Sequence, residues 1–106
     1  MQREDLEIFS GGRKLFVNIK CEIDSHTAKR LRERIDREIF LSKPEVLVLD
    51  FKDVGFMDSS GLALILGRVQ LMQSMNASVS VTGLSVHNMK LIRLSGIERI
   101  KGLSLK

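Results

Sequence analysis

The sequence predicts a single α/β domain in which helices pack against a mixed β-sheet. After two strand-like segments, strand patterns and helix patterns alternate along the chain, in the order β-β-α-β-α-β-α-β. Because strands joined by helical crossovers pair in parallel, this alternation favours a sheet with parallel members. A chain of 106 residues has room for one domain only, which we expect to span residues 1–106.

The composition excludes several classes of protein. An apolar fraction of 43% and a charged fraction of 28% are ordinary globular values, which argues against disorder. The single cysteine, Cys21, excludes an internal disulfide. No secretory signal or bilayer-spanning apolar run is visible, so we expect a cytoplasmic protein without a membrane contact. The net charge is +4, but acidic residues interrupt the densest basic run, residues 29–37, as on a solvated helix face. The chain also has no Tyr or Trp for stacking on bases, so we expect no nucleic-acid partner.

The first elements are a hairpin and a helix. Residues 6–8 and 15–19 have strand character, and Gly11 and Gly12 between them suit the positive φ angles of a tight turn. Asp24 offers a side-chain acceptor for the start of a helix over residues 25–41, which Pro44 ends. The helix carries one apolar stripe, formed by Ala28, Leu31, Ile35 and Ile39.

The middle of the chain contains a buried strand and an unusually apolar helix. The uninterrupted apolar run at 46–49 predicts a central strand covered on both faces. A second helix is predicted over residues 58–75, and its first turns are apolar almost all round. Either this helix is deeply buried or part of it forms an interaction surface, and the pattern fits both.

The last third repeats the alternation. Residues 78–82 read as a strand, and Ser85 is a suitable N-cap for a short helix that Gly96 would end in a left-handed conformation. Residues 100–105 are expected to supply a final edge strand.

The segment Asp58-Ser59-Ser60-Gly61, at the start of the second helix, carries the functional prediction. Asp58 capping a helix would explain it structurally. A serine at this position is also able to accept a phosphoryl group, whose charge of about −1.5 to −2 the helix dipole would stabilise and Asp58 would oppose. Phosphorylation would then act on whatever docks there. The residues alone do not choose between Ser59 and Ser60.

The sequence supports a catalytic function less well than a phosphorylation site. A small serine hydrolase would need His26 or His87 as its base, and the G-x-S-x-G pattern is missing. The phosphate-binding P-loop pattern and a metal-ligand set are also missing. We therefore predict no catalytic residue, no cofactor and no metal.

Several segments resemble the STAS-domain anti-sigma factor antagonists, most closely the sporulation-type antagonist of the anti-sigma-F factor. The similarity extends over roughly residues 15–100. The matching segments are residues 56–62, 65–68, 22–24, 26–28, 48–50 and 94–97.

This resemblance implies a switch in transcription regulation. The unphosphorylated protein would bind an anti-sigma factor that is also a serine kinase and so release a sigma factor. The kinase would inactivate the antagonist by phosphorylating Ser59, and a serine phosphatase would reverse this step. The implied partner-binding residues are Asp24, His26, Asp58, Ser59, Ser60, Gly61 and Leu62.

Two further expectations follow from the resemblance. Relatives carry a last helix that has no counterpart in this sequence, and its absence would leave apolar surface open and favour self-association. We expect a monomer or weak dimer. The alternative to the antagonist is a STAS module of a larger sensory assembly, which would bind other STAS domains or a small ligand.

Overall fold

The computed structural model describes residues 5–106, and the predicted order of elements is confirmed in this part of the chain. The first four residues of the predicted domain lie outside it. The elements are β1 (Leu6–Gly11), β2 (Lys14–Ile19), α1 (Ser25–Ser42), β3 (Val46–Asp50), α2 (Ser59–Ser74), β4 (Ser78–Thr82), α3 (Val86–Ser95), a 3-10 turn (Ile97–Arg99) and β5 (Leu103–Leu105).

The five strands of the described part form one mixed sheet in the order β1-β2-β3-β4-β5. β1 pairs antiparallel with β2, and the other neighbours pair in parallel. Leu15, Leu47, Val79 and Leu103 occupy one line across β2 to β5. The parallel strands follow one another in sequence across the sheet. Because their helical connections are crossovers of the same hand, the helices lie on one side of the sheet.

The hydrophobic core lies between that side and the helices. Leu47 and Leu49 of β3 are fully buried there, and so are Ile35 of α1 and Ile65 of α2. The intervening Val48 is only half-buried and faces the other side of the sheet. The prediction that the central strand is covered on both faces is therefore wrong, because the helices cover one face only.

The helix ends follow from local capping. Asp24, Asp58 and Ser85 are the N-caps of α1, α2 and α3, and each side chain accepts a backbone N–H of the first turn. Gly96 ends α3 with φ 80°, a left-handed conformation that glycine adopts without steric cost. The predicted helix bounds are thus confirmed to within about one residue.

Two local predictions need correction. Only Gly12 of the glycine pair has a positive φ, 63°, while Gly11 closes β1 in extended conformation. The last strand is shorter than residues 100–105, because the chain first forms the 3-10 turn and then bends at Gly102, φ 93°. Within residues 5–106, no helix has both the length and the apolar character needed to cross a bilayer.

Candidate functional site

Two helix starts lie side by side at one edge of the sheet. Ile23, just before α1, and Met57, just before α2, form an isolated parallel β-bridge. The Ile23 N–H donates to the Phe56 carbonyl at 3.0 Å, and the Asp58 N–H donates to the Ile23 carbonyl at 3.1 Å. This bridge brings together the segment of Asp24 and His26 and the segment of Asp58 and Ser59, which the sequence places more than thirty residues apart.

The start of α1 is held by a capping box. One carboxylate oxygen of Asp24 accepts the N–H groups of His26 and Thr27, both at 2.9 Å, and the Thr27 hydroxyl accepts the Asp24 N–H at 3.0 Å. The Thr27 N–H, together with that of His26, stabilises the charged carboxylate and lowers the pKa of Asp24. His26 thus contacts the cap through its backbone, and its side chain is exposed.

The two candidate serines have different surroundings at the start of α2. The Asp58 carboxylate accepts the Ser60 N–H at 2.7 Å. Ser59, the first residue of the helix, is exposed, whereas Ser60 is half-buried and turned towards α1. Among residues 5–106, no hydrogen bond joins either serine to a histidine side chain. Of the two hydroxyls, that of Ser59 is the more accessible to a macromolecular partner.

Gly61 is the point of closest approach in this turn. It is buried, and a Cβ atom at this position would lie 2.7 Å from Met57 Sδ and 3.2 Å from Met57 Cβ. Since the β-bridge fixes the Met57 backbone, a larger residue at position 61 would displace either the methionine or the helix start.

The segment between β3 and α2 is anchored on its other side by β4 and α3. The Phe51 N–H donates to the Thr82 carbonyl at 2.8 Å, and the buried Asn88 amide donates to the Val54 carbonyl at 3.3 Å. Gly83, φ 74°, packs so closely that a Cβ atom would lie 2.5 Å from Asp50 Oδ1. These contacts hold the segment that leads to Ser59 in place, although this segment has no regular secondary structure.

A groove of about 280 Å³ runs between the N-terminal halves of α1 and α2. Its lining residues are Ser25, Ala28, Lys29, Arg32, Ser60, Ala63, Leu64 and Arg68. In the part of the chain that the structure describes, Lys29 and Arg32 take part in none of the ion pairs. The groove is therefore positively charged beside a turn that carries Asp24 and Asp58.

Arg68, which lines this groove, forms an ion pair with Asp36 of α1; its own side chain is buried, and that of Asp36 is 27% exposed. Arg68 Nε lies 2.8 Å from Asp36 Oδ1, without the alignment of a good hydrogen bond. Burial raises the pKa of Asp36 and lowers that of Arg68, so in both groups desolvation outweighs the attraction of the partner. The pair joins α1 to α2 behind the candidate site.

The sequence reasoning missed three of these features. The Arg68–Asp36 pair and the basic groove depend on how two helices pack, which a single sequence does not reveal. Phe56 is a large apolar side chain, 47% exposed, that lies directly before Met57. The sequence signal that could have identified Phe56 as a surface residue was its place in the segment 56–62.

Leu62, one of the predicted partner-binding residues, is half-buried and packs against the core, which leaves less of its side chain for a partner. No cluster of three possible metal ligands occurs within residues 5–106.

Comparison with known proteins supports the predicted resemblance. The STAS domain profile matches residues 6–105. The anti-sigma F factor antagonist of Paenibacillus polymyxa is 35% identical over 86 residues, which cover 81% of this chain and 74% of that protein. The anti-sigma-B factor antagonist of Bacillus subtilis (strain 168) is 32% identical over 91 residues, covering 85% and 81%.

Solved structures show the same fold. The anti-sigma factor antagonist SpoIIAA in its unphosphorylated form matches with a TM-score of 0.80 and 22% identity, over 95% of this chain and 87% of that one. The Bacillus cell fate determinant SpoIIAA in its phosphorylated form matches with a TM-score of 0.72 and 22% identity, over 95% and 90%. The profile and the two relatives together establish the family: this chain belongs to the STAS-domain family of anti-sigma factor antagonists.

Proposed function

We propose that this protein is a non-enzymatic switch that binds an anti-sigma factor with serine kinase activity and thereby releases a sigma factor. Phosphorylation of Ser59 by that kinase inactivates the switch, and a serine phosphatase restores it. The proposed binding surface comprises Asp24, His26, Asp58, Ser59, Ser60, Gly61 and Leu62, to which we add the exposed Phe56. As a regulator of bacterial transcription it would act in the cytoplasm, with residues 1–106 as one STAS domain.

The exposure of Ser59 at the start of α2 is the observation that carries this proposal. A phosphoryl group there would add a charge of about −1.5 to −2 next to free helix N–H groups, which stabilise it. The Asp58 carboxylate, fixed by the Ser60 N–H, would oppose it. The two effects offset each other within the folded protein, so the new charge would act mainly on the docked partner.

Ser60 is the less suitable acceptor. It is half-buried and lines the groove against α1 together with Lys29 and Arg32, so its hydroxyl is less accessible to a kinase active site. The residues alone left both serines open. The difference in exposure favours Ser59, in agreement with the family resemblance.

The experiment uses the anti-sigma factor kinase that is the proposed cognate partner of this protein. The purified protein is incubated with this kinase and ATP, and the modified residue is mapped by mass spectrometry. We expect Ser59→Ala to abolish modification and Ser60→Ala, its matched control, to leave it intact. Undiminished modification of Ser59→Ala would refute the assignment.

A binding measurement separates charge from side-chain shape. Calorimetry should show that Ser59→Asp weakens the complex with the kinase at least tenfold, about 1.4 kcal/mol, because it places an unpaired charge in the interface. Asparagine has the shape of aspartate without its charge, so Ser59→Asn should bind the kinase with an affinity within about threefold of that of the unchanged protein. Equal affinities for the two variants would contradict a charge-operated switch.

A further inference from the structure

On the face of the sheet opposite the helices, strands β1 to β3 carry aromatic and aliphatic side chains among polar ones, whereas β4 and β5 carry only serine and threonine. Phe9, Phe16 and Val48 occupy one line across β1, β2 and β3. The two rings are stacked, with centroids 5.0 Å apart and an interplanar angle of 14°. Phe9 is 60% exposed. We call this surface the Phe9 face and define it as Glu7, Phe9, Lys14, Phe16, Asn18, Val46, Val48 and Asp50.

None of its apolar members belongs to the hydrophobic core of residues 5–106. Phe16 and Val48 are only partly buried, and Phe9 stacks on Phe16. A stacked aromatic pair open to water contributes little to folding, whereas it is the kind of anchor found at the centre of protein interfaces.

Charges of opposite sign lie at the two ends of this face. The register puts Glu7, Asn18 and Asp50 in one row across three strands. Lys14 stands at the other end of β2, beyond Phe16. Lys20 and Lys52 approach the carboxylates of Glu7 and Asp50 from the side, at 3.2 and 3.7 Å. Three of the four side chains in these pairs are more than a third exposed and that of Asp50 is 27% exposed, so the energy that holds each pair together is small and the carboxylates stay available to a second cation.

We propose that a second copy of this chain packs on the Phe9 face, related by a two-fold axis that runs across the strands. Such a rotation lays the Phe9–Phe16–Val48 row of one copy on the same row of the other. It reverses the strand direction, so that Lys14 of each copy lies over Asn18 of the other, between Glu7 and Asp50. The surface is therefore complementary to itself in charge, as an isologous dimer requires.

The size of the sheet makes this a small contact. Its five strands, spaced about 4.8 Å apart and mostly five or six residues long at about 3.3 Å per residue, form a face of roughly 20 by 20 Å. We therefore expect each copy to bury less than the roughly 800 Å² of a standard interface. Since only the central row is apolar, the aromatic contact supplies the affinity, and the charges at the two ends fix the orientation.

Another apolar surface of the described chain, the groove along α3, does not fit a second copy. A groove of about 570 Å³ lies along α3, between the exposed side chains of Val86 and Leu94. The charged residues of its lining, Lys90 and Arg93, are both basic. A two-fold contact there would bring like charges together, which costs free energy.

Sedimentation velocity tests the proposal on the isolated protein, without any kinase or sigma factor. Over concentrations from about 10 µM to about 1 mM, where a small interface dissociates, we expect a monomer–dimer equilibrium. Phe9→Ala should raise the dissociation constant at least tenfold. Phe40→Ala is the matched control, because Phe40 is 59% exposed but lies on α1, and it should behave as the unchanged protein does.

Charge reversal tests the orientation. Lys14→Glu should weaken the dimer, and the double variant Glu7→Lys/Lys14→Glu should recover part of the affinity, since position 7 then attracts the new carboxylate although Asp50 and Lys20 keep their charges. A protein that remains monomeric near 1 mM would overturn the proposal. So would a dimer that is lost with Phe40→Ala or Leu94→Ser and kept with Phe9→Ala, or one that is no tighter in the double variant than in Lys14→Glu.

Discussion

At the residue scale, the two glycines of α2 have opposite roles. Gly61 lies against Met57, whose backbone the β-bridge fixes, and leaves no space for a side chain. Gly67 has no atom within 4 Å of the place that a Cβ would take. In a helix interior, glycine is less favourable than alanine by about 1 kcal/mol, because it loses more backbone entropy on folding. The close contact with Met57 therefore explains why position 61 is a glycine, whereas nothing in the structure explains Gly67.

Alanine substitution should separate the two positions. We expect Gly67→Ala to raise the free energy of unfolding by about 0.5–1 kcal/mol, since the new methyl group meets open space. Gly61→Ala should lower it by about 1–3 kcal/mol, because the methyl group overlaps Met57. Urea denaturation of the two variants measures both changes. Equal stability of the two variants would contradict the packing described for Met57.

Ser59 and Ser60 show what residue-level reasoning could and could not supply. Asp58 as a cap was predictable, because capping depends on residues close in sequence. Which serine faces solvent was not, because it depends on where α1 packs against α2. Arg68 was unpredictable for the same reason, since its ion-pair partner Asp36 is thirty-two residues away.

At the element scale, each helix start is fixed by a side chain, but only some of these caps titrate. Asp24 caps α1 with a carboxylate and Ser85 caps α3 with a hydroxyl that accepts the Asn88 N–H at 3.0 Å. The lowered pKa of Asp24 means that the folded protein binds its proton less readily than the unfolded chain does. Asp24 therefore adds stability above its ordinary pKa of 3.8, and this stability is lost as the pH falls through the lower folded value.

The stability of Asp24→Asn relative to the unchanged protein should therefore depend on pH. At about pH 7 the variant should be the less stable, because it lacks the charge that the N–H groups stabilise. Near pH 3 or below, the difference should shrink, since the protonated carboxyl resembles the amide. Urea denaturation at the two pH values measures it.

Ser85→Ala is the control for this measurement. It should cost about 1 kcal/mol at both pH values, because a hydroxyl does not titrate there. A constant difference between Asp24→Asn and the unchanged protein would show that the Asp24 charge has no part in capping.

The Arg68–Asp36 pair should behave as a coupled unit. Asp36→Ala alone should cost about 1–3 kcal/mol, because it leaves a buried guanidinium without its partner. Adding Arg68→Met should cost less than the sum of the single changes, with a coupling of about 0.5–3 kcal/mol. The exposed pair Arg13–Glu45, at 3.0 Å, is the control and should couple by less than about 1 kcal/mol. Additive losses at Arg68 and Asp36 would rule out the proposed coupling.

Most elements were predictable because their signals are local. Periodicity and caps gave the order and the helix bounds, and residues 78–82 were confirmed as β4. The coverage of β3 was not predictable, because an apolar strand has the same pattern whether its second face meets a helix layer or water. The predicted length of β5 was also wrong, because the chain forms a 3-10 turn after Gly96 and the strand begins only after it.

At the scale of the whole molecule, the fold separates two surfaces. The helix starts that carry Asp24 and Ser59 lie at one edge of the helix layer, and the Phe9 face lies on the opposite side of the sheet. The buried core lies between them, and close packing favours one arrangement of the side chains, so we expect little coupling between the two surfaces.

The two surfaces should therefore respond independently. We expect Ser59→Asp to leave the monomer–dimer equilibrium of the isolated protein unchanged within about twofold, and sedimentation velocity measures this directly. A shift as large as that expected for Phe9→Ala would mean that the charge at Ser59 acts on self-association.

The bridge between Ile23 and Met57 also bears on how this domain could be altered by design. It ties the segment that precedes α1 to the segment that precedes α2, so that the two behave as one cassette. A residue inserted into either segment would move the cap of both helices. Anyone who wishes to graft the recognition surface of one such domain onto another must therefore transplant both segments together, with their lengths matched.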